Sequence, residues 1–277
     1  MDKYQFLKEE ERLDYTLQTL NEEVLNYIEK RKEIANYILD YRKNFIEEHK
    51  DDEDALMEYF DHERYVKEEY YKQIDKKLME LTKLKETPYF GKVIFSDEDD
   101  CQEEIYVGRY GLTKDATFES IIIDWRAPIA SLFYKGSLGP ATYKTPDGEL
   151  SADILSRRQF VIKKGSLQGY FDSEVDVKDE ILQMILSSNS GEKLKDIVMT
   201  IQQEQDDIIR EERMKVVVVN GVAGSGKTTI ALHRVAYLLY NYRQQLGNKV
   251  LVLGPNDIFV DYISEILPTL GESDVTE

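Results

Sequence analysis

The octapeptide Gly221-Val222-Ala223-Gly224-Ser225-Gly226-Lys227-Thr228 decides how the rest of this chain is read. It fits the phosphate-binding pattern G-x-x-x-x-G-K-[ST] at every fixed position. With glycine near 7% of ordinary sequence, such a match arises by chance in roughly one chain in a hundred of this length. The flanks make accident rarer still: the β-branched run Val216–Val219 enters the loop, and Thr228 to Tyr240 leaves it with helical periodicity. Gly221, Gly224 and Gly226 permit a close backbone approach that a Cβ would block. Loop amides and the helix N-terminus then converge on phosphate oxygens, favoured by the helix dipole. Lys227 supplies positive charge to the β- and γ-phosphates, and the Thr228 hydroxyl completes a Mg²⁺ shell. The expected cofactors are ATP and Mg²⁺, held by residues 221–228 with Thr229 beside them.

Turnover asks for more than a cradle. It requires a later acidic pair to hold the metal and orient water, and usually an arginine. After Leu253 the sequence offers Gly-Pro-Asn, one helical stretch (Ile258–Leu267) and an acidic tail, without either element. The expectation is an incomplete P-loop α/β domain that binds nucleotide without turning it over, the front part of a longer enzyme. Ile121-Ile122-Ile123-Asp124 imitates a metal-holding strand. However, it precedes the phosphate loop, and Trp125 follows where an acid is needed, so Asp124 is read as bonding local backbone.

Composition sets the frame. The chain has 277 residues and a net charge of −18, which argues against coating nucleic acid by charge alone. Its 42% hydrophobic content supports packed cores, and the length suits two or three units. One cysteine excludes a disulfide framework, and no apolar run is long enough to cross a bilayer. No membrane association is expected, and the expected location is cytoplasmic.

Three segments differ: 1–87, 88–177 and 178–277. The first lacks Gly and Pro, and its positions Leu13, Leu17, Leu20, Val24, Tyr27, Ile34, Ile38, Tyr41 and Phe45 step by four and three, broken only at Arg31. That heptad seam predicts a coiled-coil helix. A second helix follows after the acidic stretch 47–54, whose Asp51 or Asp52 can cap it. A short polar connection between long helices predicts an antiparallel hairpin, the helices spanning about 70 Å and about 50 Å. A rod of this kind reads equally well as a spacer or dimerisation element, and its acidic turn as a solvated loop.

The middle segment holds most of the prolines and glycines. Gly91–Phe95, Glu104–Gly108, Ser120–Asp124, Ser131–Tyr134 and Gln159–Lys163 are expected to be short strands of an antiparallel sheet. Arg157, Arg158, Lys163 and Lys164 read as a solvated basic face. The fold class expected for the whole is thus mixed α+β and α/β: a hairpin arm, a β-rich region packed on the ATPase core, and the P-loop domain.

The runs GVAGSGKTTIALHRVAYLLY and VLVLGPNDIFVDYISEILPTLGE are similar to nucleotide-site motifs of superfamily-one helicases of the UvrD/Rep type. That resemblance implies that Gln205 reads adenine, and it sets Thr229 where relatives often carry Arg. The heptad hairpin, PYFGKVIF, IYVGRYGL, IIIDWRAPIASLFY and TIQQEQDDIIR resemble HelD-type proteins, UvrD-like ATPases that strip bacterial RNA polymerase from nucleic acid. In that family the coiled coil enters the polymerase secondary channel, which gives Asp51, Asp52, Glu53 and Asp54 a partner-binding reading. A DNA helicase with an accessory arm is the alternative, with nucleic acid as a partner of the full-length protein. A coiled-coil ATPase of the SMC kind is excluded by order, since there the phosphate loop precedes the coil.

Overall fold

In the computed structural model, residues 3–48, 62–135, 137–145, 148–172, 201, 203–212, 214, 216–222, 224–246, 249–266 and 270 are described. The N-terminal helix α1 runs Lys3–Glu48 and α2 runs His62–Leu84. Freedom from Gly and Pro lets both continue without a break. They lie antiparallel: Arg31 pairs with Asp75 at 2.6 Å and Arg42 with Glu68 at 2.8 Å, so numbers rise along one helix as they fall along the other. These exposed pairs contribute little. Adhesion comes from the seam, where Leu13, Leu20, Ile38, Ile74, Leu81 and Leu84 are buried. Arg31, the break in the heptads, lies over the Tyr71 ring at 5.3 Å as well as on Asp75. The acidic stretch, with Asp51, Asp52, Glu53 and Asp54, lies outside the described residues.

A seven-stranded sheet follows: β1 Gly91–Ser96, β2 Gln102–Gly108, β3 Leu112–Lys114, β4 Glu119–Asp124, β5 Gly139–Thr145, β6 Gly148–Lys163 and β7 Ser166–Asp172. Its order is β3-β4-β2-β1-β6-β5. The long β6 pairs with β1 along one edge, and with β5 then β7 along the other. Two expectations are corrected here. The sheet is mixed, because β4 joins β2 in parallel through Val107↔Ile123 and Gly108↔Asp124. Ser131–Tyr134 is also no strand: Pro128–Ala130 forms a 3-10 turn that continues into α3, Ser131–Tyr134. Proline at the first position of that turn pre-sets φ for helix, and a run as short as Ser-Leu-Phe-Tyr does not distinguish strand from helix by itself.

Each face of the sheet is covered. On one, Tyr89, Tyr106, Tyr110, Ile121 and Phe160 pack under Leu13, Leu20, Leu81 and Leu84 at the base of the helix pair. A second stripe of α1 (Glu9, Thr16, Thr19, Glu23) is buried there, so this part of the helix is covered on two sides. On the other, Phe90, Val93, Trp125 and Phe133 share a core with three helices, α4 (Gln203–Ile209), α5 (Lys227–Asn241) and α7 (Asp257–Ile266). A one-turn helix α6, Arg243–Leu246, follows α5.

The strands expected around the phosphate loop are not regular. Val216–Val219 forms no ladder among the described residues, with Val216 and Val218 79% and 84% exposed. Of Val250–Leu253, only Leu251 makes a bridge. Parallel strands need pairing and cover on both faces, whereas Val252 alone of that run packs against the core.

Candidate functional site

The loop 221–228 leads directly into α5, and Gly226 is that helix's N-cap. Gly224 and Gly226 hold φ of +82° and +80°, in the left-handed region that glycine enters without strain. A Cβ built on either meets nothing within 4 Å, so the concavity of the loop is open at both. At Gly221, by contrast, a Cβ would lie 2.7 Å from Ser225 Oγ, and the lack of one lets the loop close on itself. The Lys227 ammonium folds into the loop and donates to the carbonyls of Gly221 at 3.0 Å and Val222 at 2.6 Å. Thr228 and Thr229 are half-buried on the first turn of α5, and Ala223 lies outside the described residues. An open glycine cradle, a flexible ammonium inside it and a hydroxyl at a helix N-terminus form a donor set suited to phosphate and Mg²⁺.

Gln205 sits half-buried on α4. The loop helix holds α4 from one side: Arg234 of α5 donates to the carbonyl of Ile208 at 2.7 Å. The turn after β4 holds its end from the other. Arg210 donates to the carbonyls of Trp125 at 2.6 Å and Ala127 at 3.1 Å, and its Nε reaches Asp206 at 2.7 Å. Burial pushes the Asp206 carboxyl up, with Arg210 opposing. The structure therefore brings the octapeptide helix, the Gln205 helix and the Asp-Trp-Arg-Ala turn together.

That turn is itself fixed. Asp124 accepts the Arg126 backbone N–H at 2.9 Å and both arms of its guanidinium, at 2.9 and 2.7 Å, so it bonds locally. The Arg126 guanidinium lies 4.5 Å over the Tyr240 ring, and the Arg126 carbonyl accepts from Asn241, both at the far end of α5. Trp125 is fully buried and packs edge-on against His233 of α5, ring centroids 5.4 Å apart. His233 Nδ1 lies 2.7 Å from the Thr229 carbonyl. A carbonyl only accepts, so the proton is on Nδ1. Burial pushes the His233 pKa down to about 4, which keeps the ring neutral at pH 7.

The basic concentration in the middle segment also needs correction. Arg157 donates to the carbonyls of Phe133 and Lys135. Arg158 pairs with Asp172 at 2.6 Å and with Glu9 of α1 at 2.8 Å. Neither is part of a free, solvated face. Sequence reading missed Arg210, Arg234, Trp125 and His233 as the residues that join the helix after the loop to α4 and to the end of β4. The only signal for them was their place in the two motif runs already singled out, IIIDWRAPIASLFY and TIQQEQDDIIR, and in the helix that leaves the loop.

Among the described residues no cluster of metal-ligating side chains occurs, and no helix is long and apolar enough to cross a membrane. Residues 6–184 match the family described as DNA helicase IV HelD, N-terminal domain. The match takes in the helix pair and the whole sheet, well over half of the chain, and the chain belongs to that family, whose parent enzymes are helicase-like. A comparison with curated proteins found no match.

Proposed function

We propose that this member of the HelD family is the N-terminal part of an ATP-regulated, UvrD-like protein that binds RNA polymerase through its helical arm and promotes release of polymerase from nucleic acid. In this reading 1–87 is an antiparallel coiled-coil arm, 88–177 a β-rich region, and 178–277 the first part of a P-loop ATPase domain. The observation that carries it is the 221–228 loop at the head of α5, with Gly224 and Gly226 open and Lys227 folded inside. Bound Mg²⁺ would neutralise charge between the β- and γ-phosphates. Amides of Gly224 to Thr228 would bind phosphate oxygens, and Lys227 would move from its loop carbonyls to the phosphates. Thr228 would hold the metal, with Thr229 alongside. Gln205 would read the adenine edge from α4. The 277-residue chain is proposed to bind nucleotide without turning it over.

Polymerase as partner is supported by the family's arm and by a net charge of −18, which suits a protein partner with a basic entrance. Asp51, Asp52, Glu53 and Asp54 are proposed to lead that contact from the tip. The family's description as a DNA helicase favours a second reading, with the arm as accessory to DNA unwinding in the full-length protein. Pull-down of polymerase core by the 277-residue chain separates the two. Capture that persists after nuclease treatment supports the first reading, and its absence alongside binding to single-stranded DNA supports the second. Nucleotide binding is tested by calorimetry with Mg-ATP and Mg-ADP.

A further inference from the structure

We infer that His233 is a positioning residue that carries the state of the phosphate loop to Trp125, the tryptophan at the end of β4. The inference rests on the nucleotide reading above and concerns how the loop is connected to the sheet. In the structure the Lys227 ammonium is engaged with the loop's own carbonyls, at Gly221 and Val222. A phosphate in the cradle competes for that ammonium, and the first turn of α5 must adjust as Lys227 leaves those acceptors. Thr229 lies two residues on, in the same turn, and its carbonyl is tied to His233 at 2.7 Å. His233 is 2% exposed and Trp125 0%, so neither ring can take up a displacement by moving into solvent. Dense packing transmits it instead.

The two rings are also chemically complementary. Trp125 Nε1 and His233 Nε2 are both buried without a hydrogen-bond partner among the described residues. The indole nitrogen is a donor only. With its proton on Nδ1, His233 presents Nε2 as an acceptor only. The rings that carry this donor and this acceptor meet edge-on with centroids 5.4 Å apart, and a buried polar atom left without a partner is costly. A shift of the first turn of α5 alters that balance. The Trp125 backbone is held fixed: its amide N–H donates to the Gly108 carbonyl at 2.9 Å, and its carbonyl accepts from Arg210 at 2.6 Å. The indole is therefore a stationary reference against which the helix of the loop moves.

The chain contains one tryptophan, so fluorescence excited where tyrosine does not absorb reports the surroundings of Trp125, and the His233 variants isolate this contact within them. Mg-ADP is titrated into the 277-residue chain with emission and calorimetry followed in parallel. The expected result is a saturable emission change with the calorimetric midpoint. His233→Asn retains an amide donor placed like Nδ1 toward Thr229 but has nothing at Nε2. It should bind Mg-ADP within twofold of the parent and lose most of the emission change. His233→Gln sets an amide at the Nε2 position and should recover part of it. Calorimetric binding with unchanged emission in the parent chain overturns the inference and leaves the nucleotide reading intact. A full emission response in a folded His233→Asn chain does the same. Absence of any binding heat overturns the nucleotide reading, and this inference with it.

Discussion

The Arg210 guanidinium donates to the Trp125 carbonyl at 2.6 Å across 85 residues of sequence, and its Nε holds Asp206 on its own helix. One side chain thereby joins the end of the Gln205 helix to the turn that ends β4. Arg210→Ala leaves Asp206 buried without the guanidinium beside it and takes the Arg210 donor from the Trp125 carbonyl, while the Ala127 carbonyl keeps the Ala130 N–H. The expected loss is about 3 kcal/mol of folding stability. Denaturant unfolding of parent and variant measures it, and a loss below about 1 kcal/mol would show that the fork does not hold these elements. Arg210→Lys should recover only part, because an ammonium cannot span three acceptors in a plane.

Lys227→Ala should act on ligand and not on fold. Its acceptors Gly221 and Val222 are exposed, so unfolding stability should change by no more than about 0.5 kcal/mol. Affinity for Mg-ATP should fall by about 1.5–3 kcal/mol, the worth of a charge-assisted contact. Unchanged affinity in calorimetry would remove the loop from nucleotide binding. Gln205→Ala should narrow the preference for adenine over guanine nucleotides while phosphate affinity stays; equal discrimination before and after would place Gln205 elsewhere.

Glu9 anchors the base of the arm. It is 1% exposed and meets Lys92 at 3.1 Å, Arg158 at 2.8 Å and the Tyr106 hydroxyl at 3.0 Å. Glu9→Ala leaves the ammonium of Lys92, itself buried, with Glu104 as its remaining carboxylate. A destabilisation of about 3–5 kcal/mol is expected. Thermal or denaturant unfolding checks it, and a cost near that of a surface substitution would mean that α1 is not pinned here.

His233 predicts an acid limb of stability. Its pKa is pushed down to about 4 in the fold from an ordinary 6.5. Between those values the unfolded chain binds a proton that the folded chain does not. Stability is therefore full above pH 6.5 and falls as pH drops toward 4, by about 3 kcal/mol in all. The difference between parent and His233→Asn across this window isolates the effect. Asp206, whose carboxyl burial pushes up, acts in the opposite sense and is present in both chains. Parallel profiles for the two chains would contradict the assignment.

The partner contact proposed for the acidic stretch is tested by changing Asp51, Asp52, Glu53 and Asp54 to Asn or Gln together. Nucleotide affinity should stay as in the parent. Association with polymerase should slow, most at low ionic strength, because steering between exposed charges is screened by salt. Equal association rates at every salt concentration would remove the acidic stretch from the proposed contact.

Local structure was legible without coordinates. The glycine spacing of 221–228, the helix that leaves it and the seam of α1 each depend on residues a few positions apart, where pattern and backbone freedom suffice. The Asp124 carboxylate also bonds its own turn, as its position at a strand end suggested. Partner choice across the chain was not legible. Arg157 and Arg158 look alike in a basic run, yet one ends on the carbonyls of Phe133 and Lys135 and the other on Glu9 and Asp172. Nothing in Ile121–Asp124 says that this strand will join β2 in parallel, and nothing in Arg210 or His233 names Trp125 or Thr229. A side chain's identity determines which bonds it can make. Which partner comes within 3 Å is decided when the sheet closes and the loop helix packs on its face, because only burial makes those few partners the alternatives to water.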